Sequence, residues 1–326
     1  VSVFASSTGL ILAPRDDVHA HAVVYAAKRI GAAIQIIDPQ EFTHFFDLRT
    51  RIGARDASLC LSSADMSVSI EASTISGIWY RRPFGYTYAA TNPSDHGGVT
   101  ALAELERRAA LFGSLHGFVG KAFNDLGRSR QANHKPSQLM RAQKIGLTVP
   151  ETLITNEPVA VKEFVDSMNG RVVYKMFGSP PLGIYGTRLL EKEDIARLDR
   201  LSICPAIFQE FIDGDFDIRA TVVGDRVFAA RLVFDRSVEH FDTRFVKTEV
   251  TPHALPKEIE NKLVELVKSF DLIYSTIDLR YSEDRGYVFF ESNPEGQYLW
   301  TEIEADLQVS HEIATQLVDT SNFQHQ

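Results

Sequence analysis

Ser275-Thr276-Ile277-Asp278-Leu279-Arg280, followed after a short polar step by Gly286-Tyr287-Val288-Phe289-Phe290-Glu291-Ser292-Asn293, is the most informative stretch of the chain. Both halves read as strands, and Ser282–Arg285 between them reads as a hairpin turn. Strand residues two apart point to the same face, so Glu291 and Asn293 project together. The hairpin brings Asp278 opposite them. Two carboxylates and an amide oxygen are hard donors, a set that suits Mg2+ bridging phosphates rather than zinc. Taken alone, the same residues read equally well as solvated polar groups at strand ends.

Upstream, β character begins near residue 206. Ile207–Ile212, Asp217–Val223 and Arg226–Phe234 read as strands, the last two joined through the turn Val223-Gly224-Asp225-Arg226. Lys257–Asp271 reads as an amphipathic helix with Ile259, Leu263, Val267 and Phe270 at helical spacing, and Ser310 is placed to cap a last helix to Val318. Pro136–Gly146 reads as another helix, with Gly146 at its C-terminus and Pro150 blocking continuation. Arg171–Phe177 is an expected strand, followed by the glycine-rich loop Gly178–Thr187. The first part of the chain reads as α/β. Strands at Gly9–Ala13, Ile34–Asp38 and Gly77–Tyr80 and a helix at His19–Ile30 suggest a small parallel or mixed sheet. Phe84–Gly98 reads as a loop. A helix over Thr100–Phe118 follows, with Leu102, Leu105, Ala109, Phe112 and Leu115 on one face. Asn124–Asn133 is polar and lacks apolar periodicity, which places a boundary near 122. The expected division is 1–122 (α/β), 123–205 and 206–326 (both α+β).

The composition is that of an ordinary globular protein: 326 residues, 44% hydrophobic and 24% charged, with net charge −9. That balance argues against nucleic-acid binding through a general basic surface. It leaves room for an anionic ligand held by a few local cations. Two cysteines, Cys60 and Cys204, are too few for a disulfide framework. With no apolar run near membrane length and no legible signal segment at Val1–Thr8, the expectation is a cytoplasmic protein with no membrane partner.

Two more constellations bear on chemistry. Lys175 leaves an apolar strand directly before the Gly178–Thr187 loop, where its ammonium and the loop N–H groups can meet phosphate together; Lys135 is a second candidate cation. The pattern is not a Walker A motif, and a lone lysine at a strand end is ordinarily a solvated charge. Then comes Gln209-Glu210-Phe211-Ile212-Asp213-Gly214-Asp215-Phe216-Asp217-Ile218-Arg219. The backbone at Phe211–Ile212 suits an adenine edge, Glu210 its amino group, and Asp217 ribose hydroxyls, although many hairpins look like this one. Arg81-Arg82, after Trp79-Tyr80, reads either as cations facing a cleft or as a brace.

In this order the pieces resemble the ATP-grasp ligases. The run is Lys135 ahead of a helix ending Gly146–Pro150, Lys175 before a glycine loop, the Gln209–Ile212 hinge, Asp217-Ile218-Arg219, and finally Asp278 with Glu291 and Asn293. Glu210, Asp217–Arg219 and Glu291–Asn293 are similar to RimK-type glutamate ligases, which add an amino acid to an acceptor. Ile78–Pro83, Lys135-Pro136-Ser137-Gln138-Leu139, Pro150–Ile154, Phe290–Trp300 and Asp16–Ala20 look more like the microviridin-type, or graspetide, ligases.

The resemblance implies an ATP-grasp fold. An N-terminal α/β domain would precede central and C-terminal α+β subdomains that sandwich ATP. It implies ATP and Mg2+ as cofactors, with Lys135 and Lys175 on the phosphates, Glu210, Phe211, Ile212 and Asp217 on the nucleoside, and Asp278, Glu291 and Asn293 on the metal. It implies activation of a side-chain carboxylate of a ribosomal precursor peptide, leader plus core, as an acyl phosphate, then intramolecular ω-ester or ω-amide formation. Arg219, Arg231 and Arg280 are the arginines expected to orient the carboxylate, and Arg244 is a further cation; each reads otherwise as a surface ion pair. The family is commonly dimeric, and the Thr100–Phe118 helix is the candidate face for a homodimer.

Overall fold

The computed structural model describes residues 8–40, 42, 46–63, 69–83, 97–118, 121–178, 186–234 and 248–319. The N-terminal part is built on a parallel sheet of β1 (Thr8–Leu12), β2 (Ala33–Ile37), β6 (Ile75–Tyr80) and β7 (Ala122–Phe123), in the order β2-β1-β6-β7. Helix α1 (Val18–Arg29) starts where the Asp17 carboxylate accepts the Ala20 N–H at 2.9 Å. Between β2 and β6 lies an antiparallel sheet of β3 (Phe46–Ile52), β4 (Ala57–Ser63) and β5 (Ser69–Glu71), absent from the sequence reading. Its signal was present, since Phe46, Leu48, Thr50 and Ile52 alternate with Asp47, Arg49 and Arg51.

Helix α2 (Gly97–Phe118) lies on this part, and only the C-terminal end of the expected face, Phe112 and Leu115, packs there. Leu111 and Leu115 are buried, whereas Leu102 and Leu105 are 58% and 61% exposed. The sheet covers only the C-terminal half of the helix, so apolar spacing in the first half finds nothing to pack on. The expected loop at Phe84–Gly98 falls mostly outside the described residues. Asn124–Asn133, read as a polar connection, instead carries α3 (Leu126–Ala132), capped by Asp125 through the Gly127 and Arg128 N–H groups. Capping, not apolar periodicity, makes this short helix.

Helix α4 (Lys135–Ile145) ends at Gly146, whose φ of +86° supplies the left-handed residue a C-terminal cap requires. A second antiparallel sheet follows, formed by β8 (Thr152–Thr155), β9 (Val172–Lys175), β10 (Arg188–Leu189) and β11 (Ala206–Glu210) in the order β10-β9-β11-β8. It packs on α5 (Pro158–Ser167) through Val161, Val165 and Phe208, with the short α6 (Lys192–Ile195) at its edge.

The largest sheet is antiparallel and five-stranded: β12 (Phe216–Val223), β13 (Arg226–Phe234), β14 (Thr248–Pro252), β15 (Tyr274–Ser282) and β16 (Gly286–Asn293), in the order β14-β13-β12-β15-β16. One face carries Ile218, Ala220, Ile277, Leu279 and Phe289 and packs on α4 and on α7 (Lys257–Ser269) through Leu139, Ala142, Leu263 and Val267. The alternate residues therefore face away from that core.

Two helices close the chain, α8 (Leu299–Glu304) and α9 (Val309–Val318). The Ser310 hydroxyl does not cap α9. It bonds the Tyr298 hydroxyl at 3.0 Å, while the Glu302 carboxylate accepts the Ser310 N–H at 2.6 Å. Helix α9 packs on the opposite end of the chain, with Ile313, Ala314 and Leu317 in one core with Ile11, Ala27 and Trp79. Among the described residues, no helix is long and apolar enough to cross a membrane.

Candidate active site

Pairing register places the charged groups. Glu291 of β16 lies opposite Asp278 of β15, and Asp278 lies opposite Arg219 of β12. A bulge between Asp278 and Leu279 gives β16 one extra residue, so Phe290 and Glu291 both line the cleft while Phe289 stays in the core. Asn293 lies opposite Thr276. The five-stranded sheet thus forms one wall of a cleft of about 1090 Å³, and β9 and β11 bring Lys175, Gln209 and Glu210 to the other wall.

Arg219 donates to Asp278 at 2.6 Å and to the Gln297 carbonyl at 3.0 Å. Lys135, at the start of α4, forms an ion pair with Glu291. These charges set the protonation of the wall. Burial would raise the Glu291 carboxyl, but the ammonium groups of Lys135 and Lys175 outweigh it and hold the group low. Asp278 moves the other way: burial and the nearby Glu291 charge push it up against the pull of Arg219. Lys175 is pushed down to about 8, chiefly by burial and further by Lys135, with Glu291 and Asp278 opposing.

Lys135, Lys175, Glu210, Phe211, Ile212, Asp217, Arg219, Asp278, Arg280, Glu291 and Asn293 all line this cleft. Several, however, are engaged with each other. Asp217 and Arg280 are opposed on β12 and β15 and form a two-point ion pair of 2.6 and 3.0 Å. Arg280 also donates to the Ile212 carbonyl at 3.1 Å. The Glu210 carboxylate pairs with Arg285, and the Phe211 N–H donates to the Arg171 carbonyl at 2.9 Å.

The structure does not bring Arg231 to the cleft. It pairs with Ile218, a core-facing residue, and stacks over Phe216 at 4.2 Å on the other side of the sheet. Strand alternation decides this, because Leu232, one residue on, takes the cleft-facing position. Arg244 and most of the glycine loop after Lys175 lie outside the described residues.

Sequence reading missed the side chains that hold the site in place. Gln138 is three residues after Lys135, on the same helix face. Its carboxamide donates to the Ser292 carbonyl at 2.7 Å and accepts the Ser292 N–H at 3.0 Å, which locks α4 to the backbone of the residue between Glu291 and Asn293. The i, i+3 spacing was the available signal. The turn after Asn293 is gripped carbonyl by carbonyl. Asn124 donates to Pro294 O at 2.8 Å, the fully buried Arg81 to Glu295 O and, at 3.3 Å, to Gly296 O, Tyr274 to Gly296 O at 2.6 Å, and Arg219 to Gln297 O. Arg81 is thus the brace of its two readings, backed by Asp17 at 3.5 Å, whereas Arg82 lines the cleft. Asn293 Oδ1 accepts the Glu295 N–H at 3.0 Å, which orients its amide.

Asp278, Glu291 and Asn293 form an all-oxygen donor set, and buried Thr276 Oγ1 beside Asn293 and Arg219 Nε lack partners among the described residues. Hard oxygens, unpartnered polar atoms and flanking cations fit a magnesium-bound polyphosphate.

Comparison with solved structures finds the same arrangement of the chain elsewhere. Macrocyclase MdnC of Microcystis aeruginosa MRC, bound with precursor peptide MdnA, is 27% identical, with a TM-score of 0.80 over 96% of this chain and 99% of that one. A RiPP-associated ATP-grasp ligase of Chryseobacterium gregarium, in complex with ADP and a leader and core peptide, is 25% identical, with a TM-score of 0.81 over 97% of each chain. The ligase PsnB, complexed with a minimal precursor, shares the fold at 24% identity and a TM-score of 0.77, over 97% of this chain and 99% of that one. Comparison with curated proteins gives no match. The family model for the RimK-like ATP-grasp domain matches residues 131–320, more than half of the chain, and with the ATP-grasp fold and the cleft described above it makes the chain a member of the RimK-like ATP-grasp family.

Proposed function

We propose that the protein is an ADP-forming ligase that activates a side-chain carboxylate of a ribosomally made precursor peptide, leader plus core, and closes it onto a side chain of the same peptide as an ω-ester or ω-amide. The observation that carries this reading is the likeness to the two peptide-bound ligases over almost the whole chain, N-terminal part included. A RimK-like ligase adding a free amino acid is the second reading, favoured by the family match alone.

In this reading the units 1–122, 123–205 and 206–326 divide the work. Lys135 and Lys175 neutralise the phosphates of ATP, and the Glu210–Ile212 segment borders the base. Asp278, Glu291 and Asn293 would hold Mg2+, which when bound screens the phosphate charge during transfer. Arg219 orients the substrate carboxylate as it takes up the terminal phosphoryl group, since a guanidinium reads such oxygens bidentately. Chemistry of this kind rests on positioning and charge neutralisation more than on a protein nucleophile. Arg280, tied to Asp217 in the row beside Arg219 and Asp278, steadies the wall on which the carboxylate is activated.

The test is mass spectrometry of the peptide encoded by a short reading frame beside the gene, incubated with the protein, ATP and Mg2+. The expected result is ADP release with loss of one water from the peptide per bond formed. Release that depends on a free amino acid, with a gain of its residue mass, would select the second reading.

A further inference from the structure

We propose that Glu304 is the group that takes the proton from the acceptor side chain, the hydroxyl or amino group that attacks the activated carboxylate. This inference rests on the ligase reading above and assigns the acceptor end of the cleft. Among the described residues five carboxylates line the cleft, and four are ion-paired: Glu210 with Arg285, Asp217 with Arg280, Asp278 with Arg219 and Glu291 with Lys135. Glu304 is the fifth, and among the described residues it has no hydrogen bond or ion pair. A carboxylate held by a guanidinium or ammonium has its lone pairs engaged. An unpaired one is available to a substrate proton.

Its position follows from sheet order. Across the cleft wall, β16 and β15 carry Glu291 and Asp278, β12 carries Arg219, and β13 and β14 carry Leu232 and Val250, which are directly paired. Helix α8 sits at that last end, because Ala305 at its close packs on Leu232 and Val250. Trp300 and Glu304, one helical turn apart on one face of α8, line the cleft there. The phosphates belong at the end with Lys135 and Lys175, and the activated acyl group at Arg219. The acceptor adds to a face of the acyl carbonyl, and the part of the cleft wall not taken by Lys135, Lys175 and Arg219 is that of Leu232, Val250, Trp300 and Glu304. There the acceptor lone pair forms the new bond to the acyl carbon, and the carbon–oxygen bond to phosphate breaks with its electrons on the phosphate. The acceptor proton passes to a Glu304 oxygen. The apolar residues wall the acyl group from water, which would otherwise hydrolyse it.

The side chain is exposed, so Glu304→Gln is expected to fold, and its ADP release reports that directly. With the synthetic peptide from the neighbouring reading frame, the variant should keep a first-turnover burst of peptide-dependent ADP, one per enzyme, while ring formation falls about 100-fold or more. Hydroxylamine should then capture the stalled acyl group as a hydroxamate, which the wild type forms far less. Cores with Thr and Ser, or with Lys, replaced by alanine identify which acceptor loses its proton. Ring formation at the wild-type rate in Glu304→Gln, or loss of the first-turnover ADP burst together with the rings, overturns the assignment. Absence of any peptide-dependent ADP release in the wild type overturns the ligase reading itself, and this inference with it.

Discussion

Gln138 holds both backbone polar groups of Ser292 in β16, and that residue lies between two of the three candidate metal ligands. Gln138→Leu leaves the buried Ser292 N–H and carbonyl unpaired, so a loss of about 2–4 kcal/mol is expected. A lower urea midpoint with an unchanged slope would register it, and ADP binding should weaken as Lys135, one turn away, loses its register with Glu291. Lys175 makes a prediction about pH. Its folded value of about 8 lies below the ordinary 10.5, so the ammonium is present below about 8 and lost as pH rises through it. ADP affinity should fall over that range by up to about tenfold per unit, and Lys175→Met should flatten the profile. Stability carries the opposite sign: the unfolded chain holds the extra proton between about 8 and 10.5, so this residue's contribution improves with rising pH in that window.

The metal-side wall is a property of paired elements rather than of any one residue. Opposite charges meet directly across β12 and β15, as Arg219 with Asp278 and as Asp217 with Arg280, so the sheet pre-neutralises its own cleft face. The bulge in β16 and the turn after Asn293 then aim Glu291 and Asn293. That turn comes close against β15: a Cβ on Gly296 would overlap Thr276 Oγ1. Gly296→Ala is therefore expected to shift the turn, lower stability by about 1–3 kcal/mol and raise the Mg2+ concentration needed for ADP release. Thermal unfolding and a Mg2+ titration measure the two effects. Unchanged Mg2+ dependence would separate the turn from the metal site. Strand alternation was legible in the sequence and put Asp278, Glu291 and Asn293 correctly on one face. Applied to the partner strand, the same rule would have excluded Arg231, because Leu232 takes the cleft side.

At the scale of the whole molecule the two ends of the chain are one structure. Leu317, fully buried in α9, shares a core with Ile11 and Trp79 of the N-terminal sheet. Leu317→Ala should remove about 2–5 kcal/mol and increase hydrogen exchange in β1 and β6 before it does so in β15. Uniform loss of protection would show instead that the sheets unfold as one unit. Similar long-range ties explain why parts of the site were illegible. Asn124 and Arg81 are far from Pro294–Gly296 in sequence, and no local period announces a side chain that donates to a remote carbonyl. By itself the sequence determined the strands and helices around the cleft, the hairpin that sets Asp278 against Glu291, the order of cations and acids along the chain, and so the family. Periodicity, turn chemistry and residue order are local, and a chain carries them without folding. Only the tertiary structure decided which charges are spent on one another, which face the described arginines take, what holds the turn after Asn293, and that Glu304, among the described residues, stands unpaired at the far end of the cleft. Those are facts about distance across the fold, and partners brought together by packing leave no mark at either position alone.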